Sequence, residues 1–253
     1  METQNCHNCQ HSFEGNFCNH CGQRNIGNNR LRIREVVNDF FDNTFNLHKG
    51  FFFTFWKLIV SPGKVAHAYI KGQRKRFTNP TRYLVIALAF QAFMDYWFKT
   101  DEILEKDEYF YFPFLSERLN NSMELWNIKL TIEFSLLSSL FEVLLFPIIF
   151  YVLFRSLKLN FTELLTTNFY YISTSTLITM TILFVTKVLF DVFVSIEFIA
   201  LLLLIYVSWA YLSFFKTTPL WIRSLKIGVG IAFFLIMRVF VLPFTLSLLN
   251  PLT

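Results

Sequence analysis

Long apolar runs occupy the chain after residue 82, whereas the residues before it alternate short apolar stretches with polar and charged ones. A helix needs about 20 predominantly apolar residues to cross a bilayer. Five runs approach or exceed that length, at residues 83–98, 131–154, 169–188, 192–215 and 225–249. The first is short and needs residues 80–82 or its aromatic end to complete a span. The tight link at Asp191 makes the third and fourth runs a helical hairpin. The pattern predicts an all-α polytopic membrane protein, with about five transmembrane helices in residues 83–253.

A weaker helical pattern precedes these runs, in residues 31–47. Ile33, Val37, Phe41 and Phe45 recur every four residues, and charged residues occupy the other faces. Such a helix packs on its own protein or lies on the membrane surface, and the pattern favours neither reading.

The apolar stretch at residues 51–60 is well short of a membrane span. Lys57 interrupts it, and Pro62 and Gly63 end it. We therefore expect an interfacial or re-entrant segment; a true span here would invert the orientation of every later helix. Together with residues 31–47, it predicts an amphipathic and basic juxtamembrane region over residues 28–82.

Composition supports the membrane interpretation. The chain is 54% hydrophobic and 16% charged, against about 45–50% and about 25% in soluble domains. The net charge of +5 does not favour nucleic acid as a partner, because the cations concentrate just before the first long run. There they form a basic collar suited to a membrane surface, which consists of Lys71, Arg74, Lys75, Arg76 and Arg82.

The distribution of Lys and Arg also predicts the orientation. Most of them lie before the first long run, between the second and third, and between the fourth and fifth. Because cytoplasmic loops are enriched in Lys and Arg, we expect a multi-pass protein of the cell inner membrane. Its amino end would be cytoplasmic, and its carboxyl end and residues 99–129 would be outside. That acidic loop is typical of a solvated connector, although Asp101, Glu102, Asp107 and Glu108 could hold a hard cation.

The only cysteines form two C-x-x-C pairs, Cys6/Cys9 and Cys18/Cys21. Two such turns complete a tetrahedral thiolate shell, so residues 1–27 are predicted to be a small zinc ribbon with zinc as its cofactor. Gly22 follows the second pair and suits the turn, whereas Gln10 makes the first pair less typical. Two disulfides are the alternative, but a cytoplasmic amino end opposes them. Four thiolates close the site, which makes it structural and leaves His7, His11 and His20 outside it.

Two charged residues lie deep within the long apolar runs, Glu142 in the second and Arg238 in the fifth. Charge at that depth is costly, so the two are expected to form an ion pair, to bond separately to polar neighbours, or to line a substrate or ion pathway. Pro147 and Pro243 in the same runs are expected to kink their helices.

Three ordered motifs connect the ribbon to the first long run: C-x-x-C…F-C-x-x-C-G-Q, F-x-x-T-x-W-K-L-x-x-x-P-G and Y-I-x-G-x-R-K-R-F-x-N-P-x-R-Y-L. Over roughly residues 6–84, the chain resembles the bacterial membrane proteins grouped as domain of unknown function 3667. The resemblance implies an inner-membrane protein headed by a zinc ribbon, and it implies no activity.

Catalytic patterns are missing from the membrane part of the sequence, since all five histidines precede residue 68. A serine–histidine pair or a zinc-protease motif within the helices is therefore excluded. We expect a non-enzymatic adaptor, assembly or regulatory factor with two partners, the lipid bilayer and a cytoplasmic protein bound by the ribbon. The alternative is a transporter or channel subunit that uses Glu142 and Arg238.

Overall fold

The computed structural model describes residues 4–25, 30–35, 50–98, 111–131, 133–192, 194 and 196–252. Strands β1 (Gln4–Asn5) and β2 (Ser12–Phe13) pair in an antiparallel sheet at the amino end. The helices are α1 (Phe51–Val60), α2 (Pro62–Ile70), α3 (Pro80–Phe98), α4 (Glu117–Thr131), α5 (Ser135–Leu153), α6 (Phe161–Phe190), α7 (Ile196–Phe214), α8 (Leu220–Leu235) and α9 (Leu242–Leu249). A short 3-10 turn, Arg155–Leu157, follows α5, and a π-helical segment, Ile236–Val241, joins α8 to α9 without a break.

Within the described residues, three helical stretches are long and apolar enough to cross a membrane. They are α5, α6 and the continuous 30-residue stretch Leu220–Leu249. The other two predicted spans, α3 and α7, are also helical, and α3 begins at Pro80 as completion of the first apolar run requires. The mostly helical fold is therefore confirmed, while a count of five spans stays a prediction.

The long helices α3, α5, α6, α7 and α8 alternate in direction along the chain. Helices α3, α6 and α8 begin at the end of the bundle where α5 and α7 finish. The contacts that establish these directions are Tyr83–Thr174 and Trp97–Phe184 between α3 and α6, Asp95–Ser135 and Gln91–Ser139 between α3 and α5, Asn168–Tyr211 between α6 and α7, and Lys226–Leu153 and Phe234–Phe146 between α8 and α5.

An aromatic stack forms the centre of the bundle. Phe146, Phe150 and Phe154 recur every four residues and share one face of α5. Phe150 lies 4.2 Å from the ring of Tyr211, and Phe154 lies 3.6 Å from the ring of Phe215 in a parallel stack. All five rings are fully buried. These phenylalanines therefore serve helix packing rather than contact with lipid.

Asparagine side chains compensate both internal prolines. Pro147 has no N–H to donate to the carbonyl of Val143, four residues earlier in α5. The Asn168 amide of α6 donates to that carbonyl at 2.8 Å instead. Pro243 leaves the carbonyl of Val239 free in the same way, and Asn127 of α4 donates to it at 3.3 Å.

The short helices α1 and α2 lie against the end of the bundle where α6 begins and α7 finishes. The backbone N–H of Gly63 donates to Ser213 Oγ at 3.1 Å, and a side chain at Gly63 would collide with the Ser213 carbonyl. The ring of His67 stacks on Phe214 at 4.4 Å. The interfacial or re-entrant position of residues 51–60 stays a prediction. Most of the predicted amphipathic helix, residues 36–47, lies outside the described residues.

The expected connector between the first two long runs contains a helix, which corrects the sequence interpretation for residues 117–131. α4 packs on α9, with the Trp126 indole N–H donating to the carbonyl of Asn250 and the N–H of Leu252 donating to Ser122 Oγ. The α4 sequence is polar overall, so hydropathy does not reveal it; tertiary contacts hold it in place. The acidic residues 101–108 lie outside the described residues.

Candidate metal centre and the surface that carries it

The two C-x-x-C turns have the same backbone geometry. The N–H of Gln10 donates to the carbonyl of Cys6, and the N–H of Gly22 donates to that of Cys18, both at 2.8 Å. Gln10 has φ 62° and Gly22 has φ 68°. Gln10 therefore adopts the same left-handed conformation as Gly22, at a cost of roughly 1–2 kcal/mol that glycine does not incur, so the first turn differs in residue type but not in geometry.

The turns bring the four cysteine sulfurs together. All four lie within 4.8 Å of one another, with Cys6 and Cys21 sulfurs 3.6 Å apart and Cys9 and Cys18 sulfurs 3.7 Å apart. A tetrahedral metal with bonds of about 2.3 Å requires sulfur separations of about 3.8 Å. The cysteines are free thiols, so the disulfide alternative is not adopted. This cluster of sulfurs can hold a metal ion. We call residues 4–25, which include the four cysteines, the cysteine ribbon.

The electrostatics of the cluster also suit a cation. Burial raises the pKa of Cys18, but backbone N–H groups of Cys21 and His20 donate to its sulfur, and the net result is a pKa lowered to about 7. A backbone N–H of His11 lowers the pKa of Cys9, yet burial and the neighbouring sulfurs outweigh it and raise that pKa to about 12. Thiolates this close repel one another, and a bound cation relieves that repulsion.

The ribbon histidines stand outside the cluster. His7, His11 and His20 are exposed, and the rings of His11 and His20 stack at 5.1 Å across the two turns. Phe17 of the same module is 61% exposed. These side chains form an exposed face that we call the outer face of the ribbon.

The ribbon is docked through a buried side chain on the chain near the basic collar. The Gln23 side chain is buried; its Nε2 donates to the carbonyl of Gly72, and the N–H of Lys75 donates to its Oε1 at 3.3 Å. Gly72 has φ 102°, a conformation that favours glycine. The residue after the second cysteine pair therefore binds the glycine turn of the collar.

A second anchor follows the ribbon. Arg30 donates to the Glu163 carboxylate at 2.8 Å and to the carbonyl of Lys158 at 2.7 Å, and Glu163 raises the pKa of Arg30. Asn160, which forms a capping box with Glu163 at the start of α6, donates to the carbonyl of Leu31 at 3.1 Å. The two anchors connect the ribbon to the bundle at residues far apart in sequence.

The collar cations have different surroundings. Arg74 forms an ion pair with Glu35 at 2.8 Å, and its side chain is only 10% exposed. The Arg76 guanidinium lies 5.7 Å from the centre of the Phe77 ring, in cation–π contact. Arg82 is half-buried, whereas Lys71, Lys75 and Arg76 are exposed. The exposed cations remain candidates for contact with a membrane surface, whereas Arg74 connects the collar to Glu35.

Glu142 and Arg238 lie on helical segments of the same bundle. The Arg238 charge acts on the Glu142 carboxylate, and both residues are half-buried. Arg238 lies within the π-helical segment, a local widening often found at functional sites. The sequence placed both charges near the middle of their runs, and the fold brings them within electrostatic range of each other.

Sequence reasoning missed the polar interior of α6. Asn168, Ser173, Thr174 and Ser175 are essentially inaccessible to solvent, and Tyr211 donates to Asn168 Oδ1 at 2.8 Å. The signal was the density of hydroxyl and amide side chains in an otherwise apolar run, which indicates a helix surrounded by protein rather than lipid.

Comparison with known proteins supplies one match. A family model described as a protein of unknown function (DUF3667) matches residues 49–91, a range that contains α1, α2, the basic collar and the first part of α3. No match was found among the curated proteins or the solved structures. The matched range includes the glycine turn that binds the ribbon and the Pro62-Gly63 turn that packs on α7. Over residues 49–91, the chain is therefore similar to the DUF3667 family.

Proposed function

We propose that this chain is a multi-pass protein of the cell inner membrane, in which a zinc ribbon is held on the cytoplasmic end of a five-helix bundle and binds a cytoplasmic protein partner. In this proposal, the protein is a non-enzymatic adaptor, assembly or regulatory factor. The observation that carries it is the docking of the ribbon through Gln23, which leaves the outer face exposed.

The five spans and their orientation are supported by the alternating helix directions. In this arrangement, the starts of α3, α6 and α8 would lie on one side of the bilayer. Cations cluster on that side, including Arg155, Lys158, Lys216, Arg223 and Lys226 around the ends of α5 and α7. By the positive-inside rule, this end is cytoplasmic. Reporter fusions at Asn28, Leu115 and Thr253 should report inside, outside and outside, and an inside signal at Leu115 would contradict the arrangement.

Zinc is the metal we assign to the ribbon, because a four-thiolate tetrahedron with these sulfur separations matches its preferred coordination. Metal binding would supply much of the folding free energy of so small a module. Purified protein should contain one zinc per chain, and a chelator should abolish the order of the ribbon while the bundle remains helical. A metal-free preparation with an ordered ribbon would contradict the assignment.

The adaptor function is tested by in-cell crosslinking and affinity capture of the full-length protein. Capture with a Cys6→Ser/Cys9→Ser variant should lose the partners that the ribbon recruits. Phe17→Ser, which changes only the outer face, should lose the same partners while zinc content stays normal. Unchanged partner sets in both variants would contradict an adaptor.

A transporter or channel subunit is the second candidate, and the proximity of Glu142 to Arg238 beside a π-helical segment favours it. Liposomes containing the protein would then show a solute or ion flux. That flux should fall in Glu142→Gln and Arg238→Gln variants, and a flux indifferent to both would remove this candidate.

A further inference from the structure

A cavity of about 280 Å³ opens where the turn between α1 and α2 meets the end of α7 and the start of α8. Lys64, Lys216 and Arg223 line it, together with the hydroxyl-bearing residues Ser61 and Ser213. None of the described residues that line it is acidic. The cavity therefore concentrates positive charge and hydrogen-bond donors in a concave space.

None of these three cations forms an ion pair with a residue in the described part of the chain. The ion pairs among the described residues involve other cations. Arg223 Nε is buried and has no hydrogen-bond partner. Because Nε itself is shielded, an anion in the cavity would reach the terminal guanidinium nitrogens of Arg223, which form no hydrogen bond with a described residue.

The backbone adds to this positive potential. Helices α2 and α8 both begin beside the cavity, and neither has an acidic residue in its first turn. Helix amino termini carry partial positive charge that favours anions. Lys64 and Arg223, in or just beyond these first turns, reinforce that charge instead of cancelling it.

The residues on the rim suit a membrane interface. Trp209 lines it, and Trp221, close in sequence to Arg223, is 71% exposed. Val60 on the rim is 52% exposed. Tryptophan is enriched at the headgroup level of bilayers, and exposed apolar side chains beside cations are suited to a lipid whose headgroup enters the cavity.

We propose that this cavity binds the phosphate of an anionic phospholipid headgroup, with Arg223, Lys64 and Lys216 as its ligands. Guanidinium and ammonium groups are the side chains best suited to phosphate oxygens. The volume lies just below the range of about 300–1,000 Å³ typical of sites for whole small molecules. It therefore accommodates a headgroup, while the acyl chains remain along the exposed rim. This site is separate from the ribbon and does not depend on its partner.

The test is native mass spectrometry of full-length protein in detergent micelles, with dioleoylphosphatidylglycerol as the probe and dioleoylphosphatidylcholine as the reference lipid. The wild type should retain phosphatidylglycerol preferentially. Lys64→Gln/Lys216→Gln/Arg223→Gln should weaken that retention about tenfold or more, because each change removes a charge-assisted bond. Val60→Trp should weaken it by filling the cavity mouth without changing any charge.

The matched control is Arg32→Gln/Arg155→Gln/Lys158→Gln, which removes three exposed cations from the same end of the protein and none from the basic collar. It should stay within about twofold of the wild type, since general surface attraction is weak and salt-dependent. Circular dichroism verifies that all variants keep wild-type helicity. Equal losses in both triple variants, or no loss in the cavity variants, would overturn the proposal.

Soluble competitors distinguish the source of the phosphate. Millimolar inorganic phosphate and glycerol 1-phosphate should not displace the lipid, because the rim contacts with the acyl chains add to its affinity. Binding of either soluble phosphate in a wild type that shows no lipid preference would overturn the assignment to a phospholipid.

Discussion

Asn168 provides the sharpest test of the packing described above. We expect Asn168→Leu, a change of similar size, to destabilise the bundle because it removes two bonds at once. The Val143 carbonyl loses the donor that replaces the missing N–H of Pro147, and the buried Tyr211 hydroxyl loses its acceptor. Both groups remain buried and have no access to water.

The magnitude follows from those two bonds. Hydrogen bonds between membrane helices average about 0.6 kcal/mol and reach about 1.7 kcal/mol. Two of them, each leaving a buried group unpaired, give a loss of roughly 1–3 kcal/mol in the free energy of unfolding. In a Pro147→Ala background, residue 147 can donate to the Val143 carbonyl itself. The cost of Asn168→Leu should then fall by about half, leaving the Tyr211 contribution.

Reversible unfolding in bicelles, followed by steric trapping or by helicity in a detergent titration, measures these differences as a double-mutant cycle. The chain contains its own matched control in Asn127 and Pro243. Asn127→Leu should couple to Pro243→Ala and remain additive with Pro147→Ala, because distant sites add within about 0.5 kcal/mol. An equal cost of Asn168→Leu in both backgrounds would refute the compensation, and so would a cost below about 0.5 kcal/mol in the native background.

Three further predictions concern the first cysteine turn, the packing of Gly63 and the pair formed by Glu142 and Arg238. Gln10→Gly should strengthen the ribbon by up to about 1 kcal/mol, because glycine adopts the left-handed conformation without strain, and zinc competition with a chelator measures the gain; weaker zinc binding would contradict it. Gly63→Ala should lower the free energy of unfolding by about 1–3 kcal/mol, because its methyl group would collide with the backbone of α7. The control Gly228→Ala meets open space and should be neutral or stabilising in the same thermal unfolding assay. Equal melting temperatures for both variants would contradict the contact. Glu142→Ala and Arg238→Ala should each destabilise the bundle, with the double variant losing less than the sum, since removal of one charge strands the other; strictly additive losses would show that the pair does not exist.

The amino-acid sequence determined the membrane-type helices and the cysteine cluster. Both are local signals: a long apolar run requires a helix to satisfy its backbone in lipid, and C-x-x-C spacing turns two thiols towards one point. The apolar run at residues 169–188 nevertheless covers only part of α6, which begins at Phe161. Its first turns contain Glu163 and Asn168, polar residues that hydropathy assigns to water.

Only the tertiary structure decided where those polar groups bond. Glu163 is buried because it caps α6 and receives Arg30 from the linker, 133 residues earlier in the chain. Asn168 and Asn127 donate to the carbonyls of Val143 and Val239, each four residues before a proline on another helix. Gln23 donates to the carbonyl of Gly72 in the collar. Periodicity describes which residues share a face, but not which helix that face meets. The placement of each polar side chain therefore depends on partners distant in sequence, whose positions the packing of the whole bundle sets.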